Sequence, residues 1–412
     1  MPLNDTIVII GLGEAGVAAA LELRACGHEG AITMVGAETE APYERPPLSK
    51  AFLLEPTMPP TPIGGAAGLE AAGIAVHRGC TALRLARPSK QVICADGTSH
   101  HYDKVLIATG ARARRLRLPG SNDVPVHYLR SVDDAIALRG ILLPPARIGI
   151  IGAGFIGLEL AASARKLGCE VAVFELAPRI LARAVPEDLA HLIAQRHISE
   201  GVNLMTDVAL TDVARTGSAL QVTLADGRVF AFDHLIAGVG AEPETQLAAD
   251  AGLAITNGIE VDERLQTSDP AIFAAGDCCA FLHGRYDNQR LRLESWRHAQ
   301  AQGRHAAHSM AGETAPFTAL PWFWSDQYDL HLQICGLNMH KAQQVRRGSP
   351  GEGLILFDLD AAGRLVCASG LGTISKIGRD MRIAEMLVER AAIIDPAVLA
   401  DSGRPLKALL RT

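Results

Sequence analysis

Thr6-Ile7-Val8-Ile9-Ile10 runs into Gly11-Leu12-Gly13-Glu14-Ala15-Gly16 and then into an alanine-rich stretch that stops at Gly27. A β-branched run, a Gly-x-Gly-x-x-Gly turn and a helix-forming segment, in that order, spell a dinucleotide-binding βαβ start. The first glycine makes the tight turn, the second lets the backbone approach a pyrophosphate, and the third lets helix and strand pack closely. The phosphates then meet free N–H groups and the positive end of the helix dipole. The order recurs at Ile148–Ile151, Gly152-Ala153-Gly154-Phe155-Ile156-Gly157 and a helix-forming segment closed by Gly168. One such fingerprint is a weak signal, but two in strand–turn–helix context specify two nucleotide cofactors.

Working outward, strands at 31–35 and 171–175 complete the two βαβ starts. Lys104–Gly110 and His234–Gly240 are similar apolar strands ending in glycine, so each half opens on a fingerprint and closes on the same pattern. Ala111–Gly120, punctuated by Arg and Pro, is expected to be a linker. Residues 220–224 and 229–232 suggest a hairpin around Asp226-Gly227. Ile272–Asp277 is a further strand that must rejoin one of the two sheets. From about residue 320 the texture changes, with Trp322, Trp324 and Tyr328 crowded together in a chain only 4% aromatic. The expectation is an α/β fold with two Rossmann-like nucleotide-binding domains and a C-terminal α+β domain.

With 412 residues and 48% hydrophobic content the chain can fill two or three cores. Its net charge of −6 argues against nucleic acid, and its apolar runs fall short of the ~18 residues of a membrane span. A strand beginning at Thr6 with no basic, apolar leader before it suggests a cytoplasmic protein. The eight cysteines show no Cys/His spacing of a metal or cluster site. They are expected to be reduced core thiols, with no metal.

Glu175 ends the strand after the second fingerprint, where a carboxylate bonds the adenosine ribose hydroxyls and repels a 2′-phosphate. NADH is therefore favoured there over NADPH, although Arg179 and Arg183 lie near. The first fingerprint should hold FAD, because a second dissociating nicotinamide would need an intermediate carrier and no dithiol or cluster motif supplies one.

Pro42-Tyr-Glu-Arg-Pro-Pro-Leu-Ser-Lys50, Ile272-Phe-Ala-Ala-Gly-Asp-Cys278, Glu294-Ser-Trp-Arg-His-Ala-Gln300 and Pro321-Trp-Phe-Trp-Ser-Asp-Gln-Tyr-Asp329 together resemble the FAD-dependent ferredoxin reductases. These serve bacterial ring-hydroxylating dioxygenases and haem-thiolate monooxygenases. The resemblance implies a glutathione-reductase-type fold: an FAD domain at 1–113 and 244–319, an inserted NAD domain at 114–243, and a C-terminal domain at 320–412. It places Lys50 beside the isoalloxazine, paired with Glu159, and Trp296 near the flavin ring. Asp277 would hold the ribityl or pyrophosphate part, and Arg130 would approach the FAD phosphates. Gly11, Gly13, Ala15, Gly16, Arg45, Thr109, Gly110 and Gly276 complete the expected FAD set. Gly152, Gly154, Ile156, Gly157, Glu175, Gly238 and Gly240 form the expected NAD set. Many relatives have Gly-Asp after the second strand, whereas here Gly36-Ala37-Glu38 stands, so Glu38 is the candidate for the adenosine ribose.

The implied function is hydride transfer from NADH to FAD and single-electron transfer to an acidic [2Fe–2S] ferredoxin, by a monomer or homodimer. A disulfide reductase is set aside because segment 40–60 has no cysteine. An NADH oxidase or peroxidase, and a redox-sensing flavoprotein like apoptosis-inducing factor, remain as alternatives.

Overall fold

The computed structural model describes residues 4–64 and 68–411. The described residues form two compact units, one from the segments 4–44, 60–112 and 241–319 and the other from the segments 45–59, 113–240 and 320–411.

The first unit is built on a parallel five-stranded sheet in the order 272–274, 104–107, 7–10, 32–35, 75–77. Ile7, Val8, Ile9 and Ile10 are all buried, as expected of a central strand covered on both faces. Helices Glu14–Ala25 and Trp296–Met310 pack together, so closely that a Cβ on Gly303 would lie 2.2 Å from the Ala15 carbonyl. The strand expected near 272 does rejoin this sheet, Ile272 pairing with Val105. An antiparallel sheet of 82–86, 91–94 and 99–101 lies in the same unit.

The segment from Ala111, expected as a linker, begins instead as strand Ala111–Ala113, in a two-stranded sheet with Ala241–Pro243. Arg112 bonds Glu244 at 3.0 Å and Glu242 at 3.1 Å. Local composition could not reveal a pairing with residues so distant in sequence.

The second unit repeats the plan with strands 203–205, 170–174, 147–151, 234–237 and 126–127, again all parallel. Ile148 pairs with His234 as Ile7 pairs with Lys104, so the sequence repeat is a structural one. The expected hairpin gains a third strand, Leu210–Thr216. Residues 322–372 form an antiparallel sheet in the order 322–327, 330–336, 365–372, 353–359, 343–349, backed by helix Ile374–Glu389. The α/β class with a C-terminal α+β part is the one expected. Among the described residues no helix is long and apolar enough to cross a membrane.

Candidate functional site

The glycines of each fingerprint divide into two kinds. A Cβ on Gly11 would sit 2.1 Å from the Ala108 carbonyl oxygen, and one on Gly16 would sit 2.2 Å from that of Gly11. The chain's own backbone therefore demands both. Gly13 has extended geometry (φ −83°, ψ −174°), and a Cβ there would meet nothing within 4 Å. Nothing in the chain requires a glycine there, so the position leaves open the space in which an external group could approach the backbone. The second fingerprint behaves alike: Gly152 and Gly157 would clash at 2.5 and 2.1 Å with backbone oxygens, while Gly154 meets only the Gly238 oxygen at 3.9 Å. Both turns thus fit the pyrophosphate of a dinucleotide.

Around the first turn the first unit gathers several expected residues. A Cβ on Gly276 would lie 3.1 Å from the Ala15 Cβ, which puts the Gly276-Asp277 turn on the first turn of helix 14–25. The Gly276 N–H donates to Gln302 at 2.7 Å, and Gln300 donates to Glu14 at 2.8 Å. Both glutamines belong to the helix that Trp296 begins. Burial pushes the Glu14 carboxyl above its ordinary range. Thr109 and Gly110 follow strand 104–107, and the Thr109 hydroxyl donates to the Glu244 carbonyl at 2.6 Å. Glu38 accepts from the Tyr43 hydroxyl. The Leu12 side chain fills the space where a Cβ on Gly36 would stand, 2.5 Å from its Cγ.

In the second unit, Gly238 lies against Gly157, its Cβ position 3.2 Å from the Gly157 nitrogen. The Glu175 carboxylate accepts the N–H of Ala153 at 2.7 Å and of Ala177 at 2.8 Å, which fixes it beside the fingerprint. Arg179 is turned toward its own loop, bonding the carbonyls of Ala182 at 2.9 Å and Val185 at 3.0 Å. The Arg183 guanidinium lies by Gly240, 3.9 Å from its Cβ position. Ile156 leaves its apolar side chain exposed on the fingerprint helix. Arg45 donates to the Arg130 carbonyl at 2.7 Å, which brings these two expected residues together.

The same unit holds a buried polar cluster centred on Glu159, whose side chain is only 5% exposed. Lys50 Nζ stands 3.1 Å from Glu159 Oε1. The hydroxyls of Ser325 and Ser49 donate to the two carboxylate oxygens at 2.6 and 2.5 Å. Ser163, one helical turn after Glu159, donates to the Ser49 carbonyl at 2.7 Å. Asp326 lies 3.9 Å from Lys50 Nζ and is paired with His331. Burial works against the Asp326 charge, yet His331 and Lys50 hold its carboxyl below the ordinary range. The Trp324 ring is 5.9 Å from Lys50 Nζ, and Trp322 packs on the C-terminal core.

Glu159 thus ties three segments together: Arg45–Lys50, the second fingerprint helix and strand 322–327. Ser49, Ser163, Ser325 and Asp326 were not singled out from sequence. Ser325 and Asp326 sit inside the Pro-Trp-Phe-Trp-Ser-Asp-Gln motif, and Ser163 stands four residues after Glu159, the spacing that puts two side chains on one helix face.

Residues 5–303 match the family described as pyridine nucleotide-disulphide oxidoreductase, and residues 322–410 the one described as reductase C-terminal. The chain is 39% identical over 412 residues to the anthranilate 1,2-dioxygenase system ferredoxin–NAD(+) reductase component of Burkholderia cepacia, covering 98% of this chain and 99% of that one. It superposes on the ferredoxin reductase for the CYP199A2 system from Rhodopseudomonas palustris with a TM-score of 0.93, 35% identity and coverage of 98% and 99%. Putidaredoxin reductase, in its covalent complex with putidaredoxin, gives a TM-score of 0.92, 32% identity and coverage of 99% of each chain.

Proposed function

Because this chain belongs to the pyridine nucleotide-disulphide oxidoreductase family, we propose that it is an NADH-dependent flavoprotein that reduces a [2Fe–2S] ferredoxin supplying a monooxygenase or dioxygenase. The observation that carries the proposal is its full-length likeness, at 39% identity, to a ferredoxin–NAD(+) reductase component. We take it to be cytoplasmic and a monomer or homodimer. The division into an FAD domain, an inserted NAD domain and a C-terminal domain belongs to the same proposal.

Gly11, Gly13, Gly16 and the start of helix 14–25 would hold the FAD pyrophosphate, with Glu38 on the adenosine ribose. Arg45, Thr109, Gly110, Arg130, Gly276, Asp277 and Trp296 would complete that site. Gly152, Gly154, Ile156, Gly157, Gly238 and Gly240 would hold NADH, with Glu175 on its ribose. Bound FAD supplies the conversion between a two-electron hydride donor and a one-electron acceptor. The protein's contribution is positioning and electrostatics. Glu159 holds the Lys50 ammonium in place, and Lys50 presents a positive charge where negative charge develops. Ser49 and Ser325 each donate to one oxygen of Glu159, so the buried carboxylate has a partner on both.

The test is to mix purified protein with NADH and a [2Fe–2S] ferredoxin and follow the carrier's visible spectrum. Catalytic bleaching of the ferredoxin is expected. Oxygen consumption without ferredoxin at a comparable rate would make the protein an oxidase and overturn the proposal. Slow flavin reduction with a long-lived charge-transfer complex would instead indicate a redox sensor.

A further inference from the structure

Outside the cofactor sites, the fold of the first unit assembles a cluster that no sequence spacing announces. Cys80 follows strand Ala75–His77, Cys94 ends strand Gln91–Cys94 and His100 sits in strand Ser99–His101. One ligand atom from each of Cys80, Cys94 and His100 lies within 4.8 Å of the others. Both thiols are buried, at 4% and 2% exposure. His100 Nε2 is also buried and has no hydrogen-bond partner among the described residues. A buried ring nitrogen left unpaired in this way needs an explanation.

We propose that Cys80, Cys94 and His100 form a binding site for zinc, with two thiolates and one imidazole as protein ligands and water in the fourth position. Thiolate and imidazole are the ligands this cation prefers, and Zn–S near 2.3 Å with Zn–N near 2.1 Å requires ligand atoms about 3.6–3.8 Å apart. The cluster reaches that spacing by contracting about 1 Å at most. Binding displaces one proton from each thiol, and the dication with two thiolates is neutral, so burial leaves no net charge to solvate. The exposed turn at 95–99 lies over the site, with the Thr98 hydroxyl 3.9 Å from Cys80 Sγ, and gives a route from solvent.

The second Cys/His grouping, Glu22, Cys26 and His308, differs in that its imidazole is already engaged. One ring nitrogen of His308 faces Glu313 at 2.7 Å and the other faces Glu22 at 3.1 Å. The proposed site also touches the nucleotide machinery. The Cys80 N–H donates to the Gly36 carbonyl at 2.8 Å and the Gly79 N–H to that of Glu38 at 2.9 Å. A cation on Cys80 braces the turn that carries Glu38.

The test titrates the FAD-loaded protein with Co²⁺ and then Zn²⁺. Tetrahedral thiolate–cobalt bands in the red, beyond flavin absorption, are expected to saturate at one equivalent and to disappear with one equivalent of Zn²⁺. Cys94→Ser should abolish the bands, His100→Gln should weaken Zn²⁺ binding at least about tenfold, and Cys26→Ser should change nothing. Wild-type protein without such bands, or bands that survive in Cys94→Ser, would overturn the assignment. So would finding two of the eight thiols unreactive after unfolding, with Cys80 and Cys94 recovered as a linked peptide, because the pair would then be a disulfide. The wild-type titration and the thiol count decide the matter even if a cysteine variant fails to fold.

Discussion

Replacing Glu159 with Gln keeps its shape and removes its charge. In the native cluster the carboxylate accepts two serine hydroxyls at 2.5 and 2.6 Å and faces the Lys50 ammonium at 3.1 Å. The serine hydroxyls can rotate to suit an amide, so both bonds survive as neutral ones, each weaker by about 1 kcal/mol. The ion pair is lost outright. Lys50 is 20% exposed and Asp326 stands 3.9 Å away, so water and a second carboxylate limit that loss to about 1 kcal/mol. The sum, about 3 kcal/mol, lies at the lower edge of what breaking a buried ion pair costs. The fold should survive with a lowered thermal midpoint.

Lys50, released from its anchor, moves toward Asp326. Closing that 3.9 Å gap to an ordinary ion-pair distance of about 2.8 Å shifts the ammonium by about 1 Å, and a misplacement of about 1 Å in a positioned group costs up to about 10²-fold in rate. Stopped-flow flavin bleaching by NADH should therefore slow by about 10- to 100-fold, with little change in the NADH concentration for half-saturation. Glu159→Asp, which restores charge at a shorter reach, should recover part of the rate. An unchanged rate of flavin reduction in Glu159→Gln would show that the cluster is structural and has no part in the reaction.

The two kinds of fingerprint glycine should separate experimentally. Gly13→Ala, with open space at its Cβ, should fold normally but bind FAD more weakly, whereas Gly16→Ala, 2.2 Å from a backbone oxygen, should lose stability as well; circular dichroism with a flavin titration distinguishes them. Glu175→Gln should raise the NADPH-to-NADH ratio of kcat/KM, since the carboxylate that repels a 2′-phosphate is gone; an unchanged ratio would remove Glu175 from that role. His298 is 3% exposed, its ring centroid 5.2 Å from those of Phe281 and Phe317, and burial holds its pKa down to about 3. Below about pH 6.5 the unfolded chain takes up a proton that the folded chain refuses, so stability falls with pH by about 1.4 kcal/mol per unit until about pH 3. Thermal midpoints from pH 7.5 to 5 should drop less in His298→Gln than in the wild type, and parallel curves would refute this origin.

Legibility in the sequence followed the range of the interaction. Both nucleotide turns were readable because their glycines act within a few residues of one another. The return of Ile272–Ala274 to the first sheet was open from local pattern and followed from the family motifs. The strand at Ala111–Ala113 was hidden, because its partner stands beyond the whole second fingerprint half. Strand 322–327 reads as three aromatic residues followed by three polar ones, a pattern without the alternation that would assign its faces or say what each meets. Ser325 on Glu159 was therefore invisible, although its motif was recognised.

Sequence by itself pointed to two dinucleotide cofactors, supplied the reason to expect NADH at the second fingerprint, and marked a C-terminal part of different texture, since each rests on contiguous residues with their own local geometry. Only the tertiary structure decided that Glu159 is buried among Ser49, Lys50 and Ser325, and that Cys80, Cys94 and His100 converge. Those groupings arise from packing of segments far apart in the chain, where the position of a side chain is set by its neighbours in space and leaves no trace in spacing along the sequence.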